Sequence, residues 1–402
     1  MINFPIYLDN NSTTRVDPAV VDAMLPYFSE HYGNSSSKSH EFGWKAEAAV
    51  QHARSLAARL LNCEPRDIIF TSGATESINL AIKGTAEMYG AKGNHIITTQ
   101  IEHEAVLDSC KNLERKGYEI TYVKVNSGGI VDPRDIAAAI TGNTILVSVM
   151  YANNEIGTIQ PIKEIAGICR AKKIVFHTDA TQAAGKIPLD LSDHSIDLLS
   201  FSSHKMYGPK GVGALYKTGK LPRVRIMPQT DGGAQEKGLR AGTLNVPGIV
   251  GFGKACEIAA KVLKTEVDSI TLKRDRLYNG IISAVKGVRV NGDLNKRIPG
   301  NLNISIPGVD ADSLMMAMKE IAVSTGSACS SESVEPSHVL SAIGLDKELM
   351  RSTIRFGIGR FNTDEEINYV INKVSEKVNY LLGLKTPSEN GSKTKKGEYA
   401  EK

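Results

Sequence analysis

From about residue 60 to residue 220 short β-rich runs alternate with stretches of helical period, and this alternation limits the chain more than any other feature. Strand-like runs fall at 68–71, 95–99, 120–125, 145–149, 174–177 and 198–201, and helix-patterned segments at 75–89, 103–116 and 162–171. That spacing predicts βαβ units and a mostly parallel sheet covered by helices on both faces. In such sheets ligands bind beyond the carboxyl ends of the strands. Polar clusters sit at those ends: Ser72-Gly73-Ala74-Thr75-Glu76, Glu102-His103, Asn153-Asn154, Asp179 with Gln182, and Ser202-Ser203-His204-Lys205. Five polar strand ends on one rim predict one large site for a charged, polar ligand.

With 402 residues the chain exceeds the roughly 250–300 residues at which single cores stop growing. Two domains are expected. A long helical pattern over 246–285 has the length to bridge them. Beyond it a strand-like run (302–306), a helix-like run (311–321) and a final helix (363–381) predict a smaller α+β unit. The expected division is a large domain at 15–262, a small domain at 1–14 and 263–385, and a disordered tail at 386–402 that holds no Leu, Ile, Val or Phe. Gly211-Val212-Gly213 and Gly232-Gly233 are read as turns.

Charge is nearly balanced, with 48 basic and 44 acidic residues and no basic stripe, which argues against nucleic acid as a partner. The five cysteines, Cys63, Cys110, Cys169, Cys256 and Cys329, are scattered without a C-x-x-C pair. Local zinc or iron–sulfur sites and a disulfide framework are therefore not expected, and a reducing compartment is. The first residues show no leader pattern and no apolar run reaches membrane length, so a cytoplasmic protein without an anchor is expected.

Each polar cluster suits particular chemistry and also has a plain structural alternative. Small residues at Ser72–Thr75 leading into a helix suit a phosphate through backbone N–H groups and the helix dipole, or are an ordinary cap at Thr75. Lys205, ending an apolar strand among hydroxyls, suits a lysine neutralised by covalent bonding to a carbonyl cofactor, or is a loop lysine. Asp179 could hold a protonated ring nitrogen; its rival reading pairs it with His177 on a metal, and His177 also reads as a satisfied core histidine. His103 can stack on a ring and move protons near neutral pH, or merely starts a helix. Asn154 and Gln182 are candidate hydrogen-bonding partners. Arg355 offers a fork for a carboxylate, or a surface ion pair.

Cys329, in Ser327-Ala328-Cys329-Ser330-Ser331, stands in Gly/Ser-rich surroundings that describe a mobile, accessible arm at about 324–334 and not a packed core. A thiolate there could enter a site and accept sulfur. The other four cysteines read as structural.

Taken in order, Tyr7-Leu8-Asp9-Asn10-Asn11-Ser12-Thr13-Thr14, Phe70 to Ser77, Thr99 to His103, Asn153 to Gly157, Asp179 to Gln182, Ser202 to Gly211, Arg240 to Thr243, Ser327 to Cys329 and Ile354-Arg355-Phe356 resemble the NifS/IscS-type cysteine desulfurases of the class V aminotransferase group. The resemblance covers nearly the whole chain before the tail. It implies a fold-type I pyridoxal 5′-phosphate (PLP) enzyme, α/β, with a mostly parallel seven-stranded sheet sandwiched by helices and a smaller α+β domain. It implies that L-cysteine is converted to L-alanine while the sulfur stays on the enzyme as a persulfide. Lys205 would carry the cofactor covalently, Asp179 pair with the pyridine nitrogen, and His103 stack on the ring and share in proton transfer. Ala74, Thr75, Ser202 and His204 would hold the phosphate, joined by Thr243 from the second subunit of a homodimer. Asn154 and Gln182 would contact the ring oxygen, and Arg355 with Asn154 would grip the substrate carboxylate. Cys329 would carry the sulfur to an iron–sulfur scaffold of the IscU or NifU kind. No stable metal site is implied, although Cys329 could transiently ligate a cluster iron during transfer. The loop around Cys329 resembles the long-loop group. Gly33-Asn34-Ser35 departs from the usual Gly-Asn-Pro, and the tail beyond Leu381 departs from the segment that docks a scaffold in the family. An aminotransferase, a kynureninase-like hydrolase, a selenocysteine lyase and a non-catalytic scaffold are the rival readings.

Overall fold

The computed structural model describes residues 2–192, 195–220, 223–325 and 337–385. Cys329 and the tail 386–402 lie outside the described residues.

The chain opens with a short strand, β1 (Ile6–Tyr7), and three helices, α1 (Pro18–Met24), α2 (Pro26–Ser29) and α3 (Glu41–Leu61). Strands and helices then alternate: β2 (Ile68–Thr71), α4 (Ala74–Tyr89), β3 (His95–Thr99), α5 (Glu104–Glu114), β4 (Glu119–Val123), α6 (Pro133–Ala139), β5 (Thr144–Ser148), α7 (Ile162–Lys172), β6 (Val175–Asp179), β7 (Leu198–Ser202) and β8 (Gly213–Lys217). These strands form one seven-stranded sheet in the order β2-β8-β7-β6-β5-β3-β4. Only β8 runs antiparallel to its neighbours. Strands β3, β5, β6 and β7 are buried at every residue, which their near-continuous apolar and hydroxyl sequences permit. The edge strand β4 is only partly buried. Two apolar clusters cover the two faces, one containing Phe70, Phe176, Phe201 and Phe252, the other Ile69, Ile78, Leu146 and Leu198.

Helix α8 (Val246–Ala284) runs for 39 residues. Its first half packs Ile249, Phe252 and Cys256 into the large core. Its second half gives Leu277 and Ile281 to another core, shared with Ile6, Leu8, Ile304, Phe356, Val370 and Val374. That second unit follows as β9 (Arg289–Val290), β10 (Asn301–Ser305), α9 (Ala311–Ala317), β11 (Ile321–Ala322), β12 (Ser324–Thr325), α10 (His338–Ala342), α11 (Lys347–Arg351), β13 (Thr353–Gly357) and α12 (Asp364–Lys385). Its four-stranded sheet has the order β12-β13-β10-β9 and is antiparallel.

Two expectations need correcting. The helix expected over 311–321 ends at Ala317; Met318 leaves helical geometry (φ −133°, ψ 52°), and Ile321 and Ala322 instead pair in parallel with Ile6 and Tyr7. Gly211 does turn the chain with φ 77°, but Gly213 already opens strand β8. A side chain at Gly213 would meet the backbone of Gly73 at 2.7 Å, so this glycine allows β8 to lie beside the turn before α4. Among the described residues no helix is long and apolar enough to cross a membrane.

Candidate active site

A cleft of about 500 Å³ opens at the carboxyl ends of the parallel strands. Ala74 and Thr75 reach it from the start of α4, His103 from the start of α5, Asn154 from the turn after β5, Asp179 and Gln182 from the end of β6, and Ser202, His204 and Lys205 from the end of β7. Arg355 enters from β13 of the second unit.

Helix α4 starts at Gly73 with no side-chain cap. This differs from a cap at Thr75. Glu76, the acid in its first turn, is turned back: Oε2 accepts the Ser72 N–H at 2.7 Å and Oε1 accepts Arg240 Nε at 2.9 Å. Burial pushes the Glu76 carboxyl up, but the bonds from Ser72 and Arg240 outweigh it and hold it below the usual range. The first-turn N–H groups thus keep their donor capacity toward the cleft, the arrangement that binds phosphate. His204 stands nearby with Nδ1 3.1 Å from Thr13 Oγ1. Burial, then the charges of Lys205, Lys210 and Lys186, pull its pKa down to about 4, so the imidazole is neutral near pH 7.

Lys205 Nζ donates to the carbonyls of Asn11 (2.8 Å) and Ser12 (2.5 Å). Asp179 Oδ1 accepts the N–H of Thr181 at 2.9 Å and also its hydroxyl. Both contacts fall on Oδ1, which leaves Oδ2 for a cationic N–H in the cleft. His103 caps α5, with Nδ1 accepting the Ala105 N–H at 3.1 Å. In the neutral ring the hydrogen must therefore sit on Nε2. Its helix-start role and its place in the cleft coexist. Gln182 donates from Nε2 to the Asn11 carbonyl at 2.8 Å.

Arg355 is not a surface ion pair. Its side chain is 2% exposed; Nη2 donates to Asp9 Oδ1 (2.8 Å) and Ser12 Oγ (2.6 Å), and Nη1 to the Asn154 carbonyl (3.1 Å). Buried Nε has no partner. This guanidinium ties the N-terminal segment, the β5–α7 turn and the second unit to one point.

Behind the rim lie two acids. Glu102 accepts from Thr99 Oγ1 (2.7 Å) and the Met150 N–H (2.9 Å), and burial lifts its carboxyl to about 8. Glu155 accepts Ser337 Oγ at 2.5 Å, and burial, partly opposed by Ser337 and Arg355, lifts it to about 7. The metal reading of His177 fails: Nδ1 lies 2.8 Å from Ser148 Oγ and Nε2 2.9 Å from Ser200 Oγ, so neither nitrogen is available. Among the described residues no group of three or more His, Cys, Asp or Glu could hold a metal ion.

Thr243 is exposed and does not line the cleft of its own chain. Cys110, Cys169 and Cys256 are buried and Cys63 half-buried, all as free thiols. Burial pushes Cys63, Cys110 and Cys169 up to about 12 and Cys256 further. None of these four is a nucleophilic thiolate near neutral pH. Among the polar residues of the cleft, Asn11, Ser12, Thr13, Thr181 and Lys210 had no role of their own assigned from the sequence. Asn11, Ser12 and Thr13 were signalled by the polar run Asn10 to Thr14 after an apolar strand and by the place of that run in the family resemblance.

An anion cradle beside a neutral histidine, a carboxylate with one open oxygen and a lysine between them fit PLP. The class-V aminotransferase family profile matches residues 6–370. The chain is 53% identical over 380 residues, 94% of each chain, to a protein named cysteine desulfurase IscS from Anaeromyxobacter sp. (strain Fw109-5). Its fold is similar to that of a NifS-like protein, with TM-score 0.87 and 39% identity, covering 93% of this chain and 99% of that one. It is also similar to a structure described as SspA in complex with cysteine, with TM-score 0.79 and 35% identity, covering 89% and 100%.

Proposed function

The chain belongs to the aminotransferase class-V family, and we propose that it works as a cysteine desulfurase, with PLP bound in the cleft around Lys205 and L-cysteine as substrate. What carries the reading is the arrival of ten side chains, named from the sequence, in one cleft centred on Lys205.

The N–H groups opening α4, with Ser202, Thr75 and neutral His204, hold the cofactor phosphate, and Asp179 Oδ2 holds its protonated ring nitrogen. PLP supplies an electron sink for negative charge developing at the substrate Cα. Arg355 and Asn154 orient the substrate α-carboxylate. Lys205 Nζ takes the Cα proton and later returns a proton, and His103 Nε2–H shares in proton transfer. Cys329 Sγ, as thiolate, forms a bond to the substrate sulfur while the substrate Cβ–S bond breaks, and the carbon skeleton leaves as L-alanine. The burial of Cys110, Cys169 and Cys256 and the half-burial of Cys63 support this role for Cys329.

The active form in this reading is a homodimer in which Thr243 of a second copy completes the phosphate site. Its exposure supports that role, as do the large apolar side chains of Phe28, Tyr32 and Trp44, each more than half exposed. The sulfur acceptor is an iron–sulfur scaffold protein, and the compartment is the cytoplasm. Neither nucleic acid nor membrane takes part. The test is turnover: purified protein with PLP should release alanine from L-cysteine, and Cys329→Ser should bind PLP yet release none. Undiminished turnover by Cys329→Ser contradicts the assignment.

A further inference from the structure

Lys186 is a second lysine behind the cleft, and none of the roles above uses it. It follows the Asp179–Gln182 turn and lines a small cavity of about 30 Å³ between Asn10, Asn11 and the α8 side chains Leu263 and Glu266. Its Nζ donates to Gln182 Oε1 at 2.9 Å. A lysine ammonium is only a donor, so opposite it the Gln182 amide can take one orientation: Oε1 toward Lys186 and Nε2 away. Asn11 reinforces it, with Nδ2 donating to the same Oε1 at 3.3 Å. Gln182 Nε2 then meets the Asn11 carbonyl, which also accepts from Lys205 Nζ. One of the two Nε2 hydrogens is taken by that carbonyl, and Gln182 lines the cleft that also holds Lys205. Asn11 Oδ1, buried and without a partner, is the orphan produced by the same directional chain.

We propose that Lys186 is a positioning residue: it fixes the polarity of the Gln182 amide so that an N–H, not a carbonyl oxygen, is presented to an anionic oxygen of the bound cofactor. This rests on the reading of the cleft as a PLP site. The charge state is consistent with a role inside the site. Burial, then the charges of Lys205 and Arg355, pull Lys186 down to about 7. Glu266, across the cavity, is engaged by Arg360. A neutral amine gains an acceptor lone pair, so Lys186 imposes this orientation in its ammonium form, with Asn11 Nδ2 on the same Oε1 supporting it.

The experiment is a double-mutant cycle read by equilibrium binding of PLP to the apoprotein, and by the pH at which the visible band of the bound cofactor titrates. Lys186→Met and Gln182→Ala should each weaken PLP binding by about tenfold and shift that midpoint. The double variant should be no weaker than Gln182→Ala alone, because the lysine acts through the amide. Additive losses overturn the inference, since a purely structural lysine would give them. Gln182→Glu is an independent arm if Lys186→Met does not fold: it keeps an acceptor for Lys186, removes the donor and should bind PLP as weakly as Gln182→Ala. Wild-type affinity in Gln182→Glu overturns the inference. Wild-type protein that takes up no PLP sinks the reading beneath, and this one with it.

Discussion

Lys205 and Arg355 are both held by the N-terminal segment, Lys205 on the carbonyls of Asn11 and Ser12 and Arg355 on Asp9 and the Ser12 hydroxyl. In the proposed mechanism Lys205 moves the Cα proton, so Lys205→Ala should lower alanine release by at least about a thousandfold in a steady-state assay. Arg355→Lys keeps the charge but loses the fork, and should raise KM for L-cysteine about tenfold with a smaller change in kcat. A kcat effect alone would place Arg355 elsewhere than on the substrate carboxylate. Glu102 gives a pH prediction. Burial lifts its folded pKa to about 8, whereas the unfolded carboxyl ionises near its model value of 4.5. Between those values the unfolded chain holds fewer protons, so this group erodes stability as pH rises through the window. Glu102→Gln cannot ionise, and its urea midpoint should fall less than that of wild type between about pH 5 and 8; parallel curves contradict the buried, protonated acid. The strand-end residues were legible in the sequence because polar side chains stand out after apolar runs. Asn11 and Lys186 were not, because their partners lie far along the chain or their burial appears only after folding.

Among the elements, α4 shows how local sequence makes a ligand site. Gly73 leaves open space where a Cβ would stand, and Glu76 is turned back onto Ser72 and Arg240. Gly73→Ala should therefore leave apoprotein stability within about 0.5 kcal/mol of wild type, as at an unstrained surface site. The added methyl at the cleft should weaken PLP binding by about tenfold, seen by equilibrium titration. A large loss of apoprotein stability would contradict the open geometry. Helix α10 is fastened to the rim by Ser337 on Glu155 and by His338 Nε2, 2.9 Å from the Glu102 carbonyl. On the other side, Ser324 pairs with Arg355. The residues bounding the segment that contains Cys329 thus contact neighbours of His103 and Asn154 and the strand of Arg355. Most strands and helices of the large sheet were readable within a residue or two from periodicity. Strand β8 was not, because its glycine-rich start has the composition of a turn. The short pairing of β11 with β1 was hidden because two residues carry no period.

At the scale of the molecule, α8 spans two apolar cores, while Arg355 and the Asp9–Thr13 segment bring the second of them to the cleft. The same single-chain architecture leaves Thr243 exposed, and in the proposed homodimer a second copy would bring it to the phosphate. Light scattering should give twice the chain mass of 43.4 kDa, and Thr243→Ala should weaken PLP binding while leaving that mass unchanged. A monomer with full PLP affinity contradicts the shared site. In the proposed mechanism the chemistry converges on one thiol, Cys329, since Cys110, Cys169 and Cys256 are buried, Cys63 is half-buried, and burial suppresses the thiolate of each. The most direct measurement is mass spectrometry of the PLP-loaded protein after brief exposure to L-cysteine. The account predicts one added sulfur, confined to the peptide that contains Cys329, with alanine released in step. An unmodified Cys329 peptide in protein that is turning over cysteine, or sulfur carried on another cysteine, contradicts it.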